Sequence, residues 1–317
     1  MDMKPLLEAL GGGAGLVLSG VLVVVLVLIV WAFWQGRSVE FWPPRIGAQP
    51  GHPEAADDEA APRESDPTSE ALPVGARPDR VFDTRDALGF YQAIAPNYDQ
   101  RNSVNLLATH MEVITRIEAI RAAKAGLRVL DLGGGTGQNV ATYFFNDCNI
   151  RWTYVDFCPG MADQLQQHLA GRPLYNRLRV HVEDISRIHL RVAPKSHDVI
   201  LLNLVLSSMP QLPDFARIAT LLAPGGTLII SDINPLYTSA HPLYQARAGD
   251  GTQVAMRTHM VQPLEVVTRA REAGLQLSDM TQIGSADISY SFVAVFESAA
   301  RQRRKAQVRK DEESSTW

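Results

Sequence analysis

Residues 128–140, RVLDLGGGTGQNV, contain an apolar strand pattern that runs directly into four glycines and then into a helix pattern. Val129, Leu130 and Leu132 are typical of a strand buried on both faces. Glycine lets the backbone turn sharply and leaves room for a ligand to lie against it. The helix that follows would point its free N–H groups at a bound molecule. The stretch therefore predicts a cofactor-binding loop.

The spacing of the glycines separates two cofactor classes. A dinucleotide fingerprint, G-x-G-x-x-G, would need a glycine where this chain has Gln138. The pattern that fits is D-x-G-x-G-x-G, formed by Asp131, Gly133, Gly135 and Gly137. It resembles motif I of the class I S-adenosylmethionine-dependent methyltransferases, and this resemblance implies S-adenosylmethionine as the cofactor. A carboxylate at the loop is compatible with the cationic methionine end of that molecule, whereas it would repel a pyrophosphate. For the loop alone, an αβ corner without a ligand is the alternative.

Strand and helix patterns alternate along the rest of the chain, which implies a parallel sheet. An amphipathic helix is predicted at 104–124. Strands are predicted at 128–132, 149–157, 177–183, 198–203 and 227–233. LQLSDMTQI and ISYSFVAVF then follow with only a short polar connection, which predicts a hairpin. The resemblance implies a Rossmann-like α/β fold over residues 81–298, with a seven-stranded sheet that is parallel except for one reversed strand.

In an open parallel sheet the ligand lies beyond the carboxyl ends of the strands, so the residues at those ends are the candidate site. Asp156 ends the second strand, where a carboxylate can accept hydrogen bonds from both ribose hydroxyls. The resemblance implies that Asp184 and Ile185, after the third strand, contact the adenine. Asn203 ends the fourth strand, close to the methyl group. For a single acid, a solvated loop residue or a helix cap is the alternative.

FYQAIAPNYDQRNS, residues 90–103, resembles the opening segment of ubiquinone and menaquinone biosynthesis-type methyltransferases and their small-molecule relatives. The resemblance implies that Tyr98 closes over the cofactor. The chain lacks the N-P-P-[YF] pattern of nucleic acid and protein amide methyltransferases, because Asn203 is followed by Leu204 and Val205. A small or lipid-like acceptor is therefore expected, with a membrane protein as the second choice.

The segment at 234–261 should help to recognise the acceptor. It contains the weak catalytic candidates Tyr237, His241 and His259. A histidine has a suitable unperturbed pKa for a general base. Such residues are also common on surfaces and in packing, and methyl transfer can proceed by positioning alone. The catalytic residues therefore stay open, and no metal site is predicted.

Residues 9–36 carry no charge and are long enough to cross a bilayer, which predicts one transmembrane helix. A cleaved signal peptide fits less well, because the apolar run is too long. Residues 37–80 are predicted to be a disordered linker, since residues 43–80 hold eight prolines and eight acids. Residues 299–317 form a basic and then acidic tail that favours anionic lipid. Arg37 and Arg45 after the span predict a cytoplasmic catalytic domain in a single-pass membrane protein.

Composition narrows the remaining function classes. A net charge of −4 and a pI near 6.1 give no reason to expect a nucleic acid partner. Two cysteines, Cys148 and Cys158, fit a reducing compartment. The two rivals of an enzyme of this kind are a dinucleotide oxidoreductase and a non-catalytic scaffold that keeps the fold but has lost the cofactor. The intact glycines and Asp156 disfavour the scaffold.

Overall fold

The computed structural model describes residues 37–41, 44–48, 77–100, 104–145, 149–172, 176–284 and 289–298. The chain divides into two units, residues 1–65 and 66–317. In the first, the described residues pair as a two-stranded antiparallel ribbon. The ribbon lies at the start of the predicted linker, and residues 49–76 of that linker are outside the described part of the chain. The predicted tail, 299–317, is outside it as well.

The strands and helices of the described residues follow the predicted alternation. The strands are β1 (Arg37–Phe41), β2 (Pro44–Ala48), β3 (Arg80–Phe82), β4 (Arg128–Leu132), β5 (Arg151–Asp156), β6 (Leu178–Val182), β7 (His197–Asn203), β8 (Leu222–Ile233), β9 (Leu243–Arg247), β10 (Gln253–Arg257), β11 (Leu275–Gly284) and β12 (Ser289–Ser298). The helices are α1 (Ala87–Ile94), α2 (Val104–Ala123), α3 (Gln138–Phe145), α4 (Pro159–His168), α5 (Phe215–Leu221), α6 (Pro235–Ala240) and α7 (Pro263–Glu272).

The second unit is built on a seven-stranded sheet with the order β11-β12-β8-β7-β4-β5-β6. Neighbouring strands from β8 to β6 pair in parallel, whereas β12 pairs antiparallel with both β8 and β11. The predicted hairpin and the single reversed strand are therefore present. Parallel strands place their carboxyl ends at one edge, and the order reverses between β4 and β7, where ligands of such sheets bind.

Each face of the sheet is covered by helices, because successive side chains of a strand point to opposite faces. On one face, Leu130 and Ile200 pack with apolar residues of α5 and α7. On the other face, Val129 and Leu201 pack with apolar residues of α2, α3 and α4. β7 is buried along almost its whole length, as expected for a central parallel strand.

A small three-stranded sheet, β3-β10-β9, was not predicted. β10 pairs in parallel with β3 and antiparallel with β9, which brings residues 80–82 beside the insert at 234–261. Phe82 and Met256 of this sheet pack against Phe90 of α1. The Asn97 amide also donates to Ala248 O at 2.9 Å. The insert thus holds the segment that precedes α2 in place above the large sheet.

Among the described residues, no helix is both long and apolar enough to cross a membrane. The predicted span, residues 9–36, lies outside the part of the chain that the structure describes.

Candidate active site

A cavity of about 300 Å³ opens at the carboxyl ends of the central strands, a volume at the lower end for small-molecule sites. Its walls come from the segment around α1, from the loops after β4, β5, β6 and β7, and from α4. The lining residues are Thr84, Arg85, Ala87, Leu88, Tyr91, Tyr98, Gly133, Gly135, Asp156, Phe157, Met161, Asp184, Ile185, Asn203, Leu204, Val205, Ser208, Met209 and Pro210.

Most of the predicted cofactor-binding residues meet at this cavity. Those that line it are Tyr98, Gly133, Gly135, Asp156, Asp184, Ile185 and Asn203. The other two, Asp131 and Gly137, do not belong to its wall and lie behind it.

The glycine-rich loop after β4 is held against β5 by its backbone. Gly133 N–H donates to Val155 O at 2.8 Å. At Gly135, φ is 55° and an added Cβ would meet nothing within 4 Å, so this position leaves room on the cavity side. At Gly137, φ is 80° and an added Cβ would overlap the buried side chain of Leu165. Gly137 therefore serves the close approach of α3 to α4 rather than direct contact with a ligand.

Asp156 closes β5 beside this loop and is 5% exposed. Its Oδ2 accepts the Gly135 N–H at 2.9 Å, and its Oδ1 accepts the Cys158 N–H at 2.8 Å. Burial raises the pKa of Asp156 to about 6, although these backbone hydrogen bonds act to lower it. The Tyr154 hydroxyl donates to Gly135 O at 2.6 Å and fixes the same turn. The Phe157 backbone also bonds to this carboxylate. An ionised carboxylate has about four acceptor sites, so capacity remains for hydrogen bonding to ribose.

Asp131 lies beneath the loop and is 1% exposed. Its Oδ2 accepts a long hydrogen bond of 3.4 Å from the Asn139 amide, and its Oδ1 has no partner among the described residues. Burial raises the pKa of Asp131 to about 7; the Asn139 bond opposes the rise and the charge of Asp156 adds to it. A buried carboxylate of this kind is stabilised by a cation nearby.

Asn203 closes β7 and belongs to a polar network that sequence reasoning missed. Its Nδ2 donates to His110 Nδ1 at 2.9 Å, and its Oδ1 accepts the Ser231 hydroxyl at 2.5 Å. His110 accepts at Nδ1, so its ring proton is on Nε2. Burial lowers the pKa of His110 to about 4, against a hydrogen bond with Asn139 and the charge of Asp99. The neutral ring therefore fixes the orientation of the Asn203 amide at the cavity wall.

The residue after Asn203 has a strained backbone. Leu204 has φ 59°, a left-handed conformation that costs a non-glycine residue of order 1–3 kcal/mol. Its N–H donates to Ser231 O at 2.9 Å, which holds the chain in this turn. The turn aims residues 204–210 back across the cavity. An apolar residue in this conformation leaves no signal in the sequence.

The loop after β6 contributes Asp184 and Ile185. Asp184 Oδ1 accepts the Ser186 N–H at 2.7 Å and so caps a short 3-10 helix, Ile185–Leu190. Its Oδ2 has no partner within the described ranges, and the residue lines the cavity. Asp184 is thus a helix cap and a cavity wall at once, so the two interpretations of this acid are compatible.

Tyr98 reaches the cavity from a 3-10 helix, Ala95–Gln100, that follows α1. The next residue, Asp99, ties this helix to the glycine-rich loop. Its Oδ1 accepts the Thr136 hydroxyl at 2.6 Å and the Gln138 amide at 2.9 Å. Its Oδ2 lies 3.0 Å from His168 Nε2, at the end of α4. We call these four residues, Asp99, Thr136, Gln138 and His168, the Asp99 cluster.

The hydrogen bonds of His168 define its charge. Its Nδ1 lies 2.9 Å from Thr136 O, and its Nε2 faces the Asp99 carboxylate. Both neighbours can only accept, so both ring nitrogens must donate and the ring is cationic. Burial raises the pKa of Asp99, but the His168 and Thr136 hydrogen bonds and the His168 charge outweigh it, and the pKa lies below its ordinary value. Sequence reasoning missed this cluster, because its residues come from three elements and their spacing follows no motif.

The part of the cavity wall formed by α1 and by the loops after β5 and β7 is aromatic and apolar. The Tyr91 and Ser208 hydroxyls form a short hydrogen bond that joins α1 to the loop after β7. The rings around Tyr91, with centroids within 6.5 Å, belong to Phe90, Tyr98, Phe157 and Tyr244. Phe90 itself is fully buried and is a core residue. Tyr91 and Tyr98 of the segment before α2 and Tyr244 of the insert thus lie close together.

The three catalytic candidates lie elsewhere. Tyr237 packs edge-on against Tyr290 at 4.8 Å, and the exposed His241 stacks on Tyr237 at 4.4 Å. The backbone N–H of His259 donates to Ser207 O at 2.7 Å. None of the three lines the cavity, because α6 packs against β12 and carries Tyr237 and His241 away from it. Their predicted role as general base has no support from this geometry.

Comparison with known proteins identifies the family of this chain. A family model described as a methyltransferase domain matches residues 106–278, more than half of the chain. The chain therefore belongs to this methyltransferase family, and it is a class I enzyme that uses S-adenosylmethionine. A search of curated proteins found no match.

Solved structures agree on the fold. The CcbJ methyltransferase of Streptomyces caelestis is 18% identical, with a TM-score of 0.50, and the match covers 67% of this chain and 98% of that one. The 1,6-didemethyltoxoflavin-N1-methyltransferase of Burkholderia thailandensis, solved with 1,6-didemethyltoxoflavin and S-adenosylhomocysteine, is 20% identical, with a TM-score of 0.44. That match covers 68% of this chain and 86% of the other.

The residues at the strand ends fit the cofactor. Asp156 offers two oxygens for the ribose hydroxyls, and Gly135 leaves open space in front of the loop. Burial raises the pKa values of Asp131 and Asp156, and a cation bound nearby would stabilise their ionised forms. When bound, S-adenosylmethionine supplies an electrophilic methyl group.

Proposed function

We propose that this enzyme methylates a small or lipophilic acceptor and is held at a membrane by residues 9–36, with its catalytic domain in the cytoplasm. The observation that carries the acceptor proposal is the composition of the cavity wall formed by α1 and the loop after β7. This wall is formed by apolar and aromatic side chains, among them Leu88, Tyr91, Val205 and Met209. Such a surface gains free energy by removing an apolar molecule from water.

The chain can promote the transfer by positioning. The acids and glycines at the strand ends hold the nucleoside, and the wall formed by α1 and the loop after β7 holds the acceptor. The Tyr91 and Ser208 hydroxyls, which bond to each other at the wall, are among the neutral groups that can orient a polar atom of the acceptor. Holding two reactants in line supplies a large part of the barrier reduction in such reactions.

The membrane part of the proposal rests on the sequence. Residues 9–36 form an uncharged apolar stretch of spanning length, and basic residues follow it. S-adenosylmethionine is an intracellular metabolite, which supports a cytoplasmic domain.

The acceptor class is tested with the full chain in its own membranes. Membranes that contain the protein are incubated with methyl-labelled S-adenosylmethionine, and the products are divided into an organic extract and a protein pellet. We expect label in the organic extract, suppressed by excess S-adenosylhomocysteine. Label confined to protein would favour a membrane protein acceptor instead. Label in neither fraction, despite cofactor binding, would favour a scaffold.

A further inference from the structure

The charges of the cavity are distributed unevenly between its two ends. Asp156 and Asp184 lie at the strand ends, where the nucleoside binds. Arg85 is the one cationic side chain among the described residues that line the cavity, and it comes from the other side, just before α1. An anionic group entering the cavity is repelled by the two carboxylates and attracted by the guanidinium.

The Arg85 guanidinium forms no ion pair with an acid among the described residues. Of its acidic neighbours, Asp83 Oδ1 accepts the backbone N–H of Arg85 at 2.7 Å and caps the turn. Asp86 pairs with Arg80 at 3.3 Å, and the Arg80 guanidinium lies 4.0 Å above the ring of Phe82. The Arg85 guanidinium itself has no ion pair or hydrogen bond within the described residues. Its five donors are therefore available to a ligand.

The surface beside Arg85 is apolar. Leu88, in the first turn of α1, is 45% exposed and lines the cavity, and Met209 and Pro210 line it as well. A large aliphatic side chain held at the rim of a cavity next to an unpaired cation matches a ligand that has an apolar body and an anionic end.

We propose that the methyl acceptor carries an anionic oxygen group, a carboxylate or a phosphate, on an apolar body, and that Arg85 binds this group. The inference rests on the proposed function, which places a small or lipophilic acceptor in this cavity. Arg85 then determines both specificity and orientation. With the anionic group at Arg85 and away from Asp156 and Asp184, the other end of the acceptor points toward the strand ends. A guanidinium binds either oxyanion with paired hydrogen bonds.

The test uses four probes with the same eight-carbon chain. They are octanoate, octyl phosphate, octan-1-ol and octylamine. Each is titrated calorimetrically into the full-length protein, purified in detergent and saturated with S-adenosylhomocysteine. The variants are Arg85→Gln and Arg85→Lys. The matched control is Arg257→Gln, because Arg257 is also exposed but lies on β10 away from the cavity wall.

For the wild type we expect at least one of the two anions to bind about fivefold more tightly than octan-1-ol, the factor for a favourable exposed ion pair. Octylamine should bind most weakly. Arg85→Gln should abolish the preference, Arg85→Lys should retain part of it, and Arg257→Gln should leave it unchanged. Which anion binds more tightly distinguishes a carboxylate from a phosphate acceptor.

Two results would overturn the inference. If octan-1-ol binds as tightly as both anions, or if Arg85→Gln keeps the preference, Arg85 does not select an anion and only this inference fails. If none of the probes binds while S-adenosylhomocysteine still does, the small lipophilic acceptor fails with it. S-adenosylhomocysteine binding by each variant shows that it is folded.

Discussion

For Asp156, the predicted contact with the cofactor should depend on the protonation of its carboxyl group. Asp156 is buried near Asp131, a second acid whose pKa is raised by burial. The Asp156 carboxylate accepts hydrogen bonds from the backbone N–H groups of Gly135 and Cys158. Only the ionised form can accept hydroxyl hydrogen bonds at both oxygens. Cofactor binding therefore favours deprotonation, whereas burial without the cofactor favours protonation.

We predict that S-adenosylhomocysteine affinity falls as the pH drops through about 6, the value to which burial raises the pKa of Asp156. Between pH 6 and pH 5 the affinity should fall about fivefold, because the ionised fraction of a group with this pKa falls from about one half to about one tenth. The free energy of unfolding depends on pH in the opposite direction. The raised pKa means that the folded state binds more protons than the unfolded state, so this group lowers the free energy of unfolding as pH rises between its ordinary pKa and about 6.

The measurement is calorimetric titration with S-adenosylhomocysteine from pH 5 to pH 8. Asp156→Asn should bind more weakly at pH 8, by about 1–3 kcal/mol, because a hydrogen-bond acceptor is lost. It should also lose most of the acid dependence. The control is Asp184→Asn, which should keep that dependence. A wild-type affinity that stays constant from pH 8 to pH 5 would contradict the assignment of Asp156.

The Asp99 cluster joins three elements that are distant in sequence. These elements are the 3-10 helix at 95–100, the loop after β4 and the end of α4. The charged pair in this cluster is partly buried, with both side chains about one-quarter exposed or less. Tyr98, next to Asp99, contributes to the cavity wall. The cluster therefore positions a wall of the cofactor site without touching the cavity.

We predict that His168→Gln weakens S-adenosylhomocysteine binding by about five- to tenfold, because a charge-assisted bond to Asp99 is lost. Hydrogen exchange of residues 95–100, followed by mass spectrometry, should become faster in this variant. The control is His241→Gln, at an exposed histidine away from the cavity, which should alter neither quantity. Unchanged exchange in His168→Gln would show that the cluster does not hold this helix.

Local patterns predicted the large sheet well, because each central strand is a continuous apolar run and the glycine-rich loop follows one of them directly. The strand ends then identified the acids that line the cavity. The small sheet could not be predicted, since β3 has only three residues and pairs with a strand more than 170 residues later. The Asp99 cluster and the His110 network were missed for the same reason. They join side chains through space, and their spacing in the sequence follows no motif.

At the scale of the whole molecule, the cofactor site lies within the second unit. All residues that line the cavity are between Thr84 and Pro210. The apolar stretch at 9–36 belongs to the first unit. On this distribution, we expect the proposed membrane attachment and cofactor binding to be separable.

We predict that deleting residues 9–36 releases the protein from membranes and changes S-adenosylhomocysteine affinity by less than about twofold, because the deletion removes the apolar stretch of spanning length but no residue of the cavity wall. The full chain should stay in the pellet after carbonate extraction, whereas the deletion variant should appear in the supernatant. Protease added to intact cells or spheroplasts should spare residues 81–298 of the full chain, and it should digest them once the membrane is permeabilised. Digestion in intact cells would place the domain outside. A deletion variant that stays in the pellet would show that residues 9–36 are not the anchor.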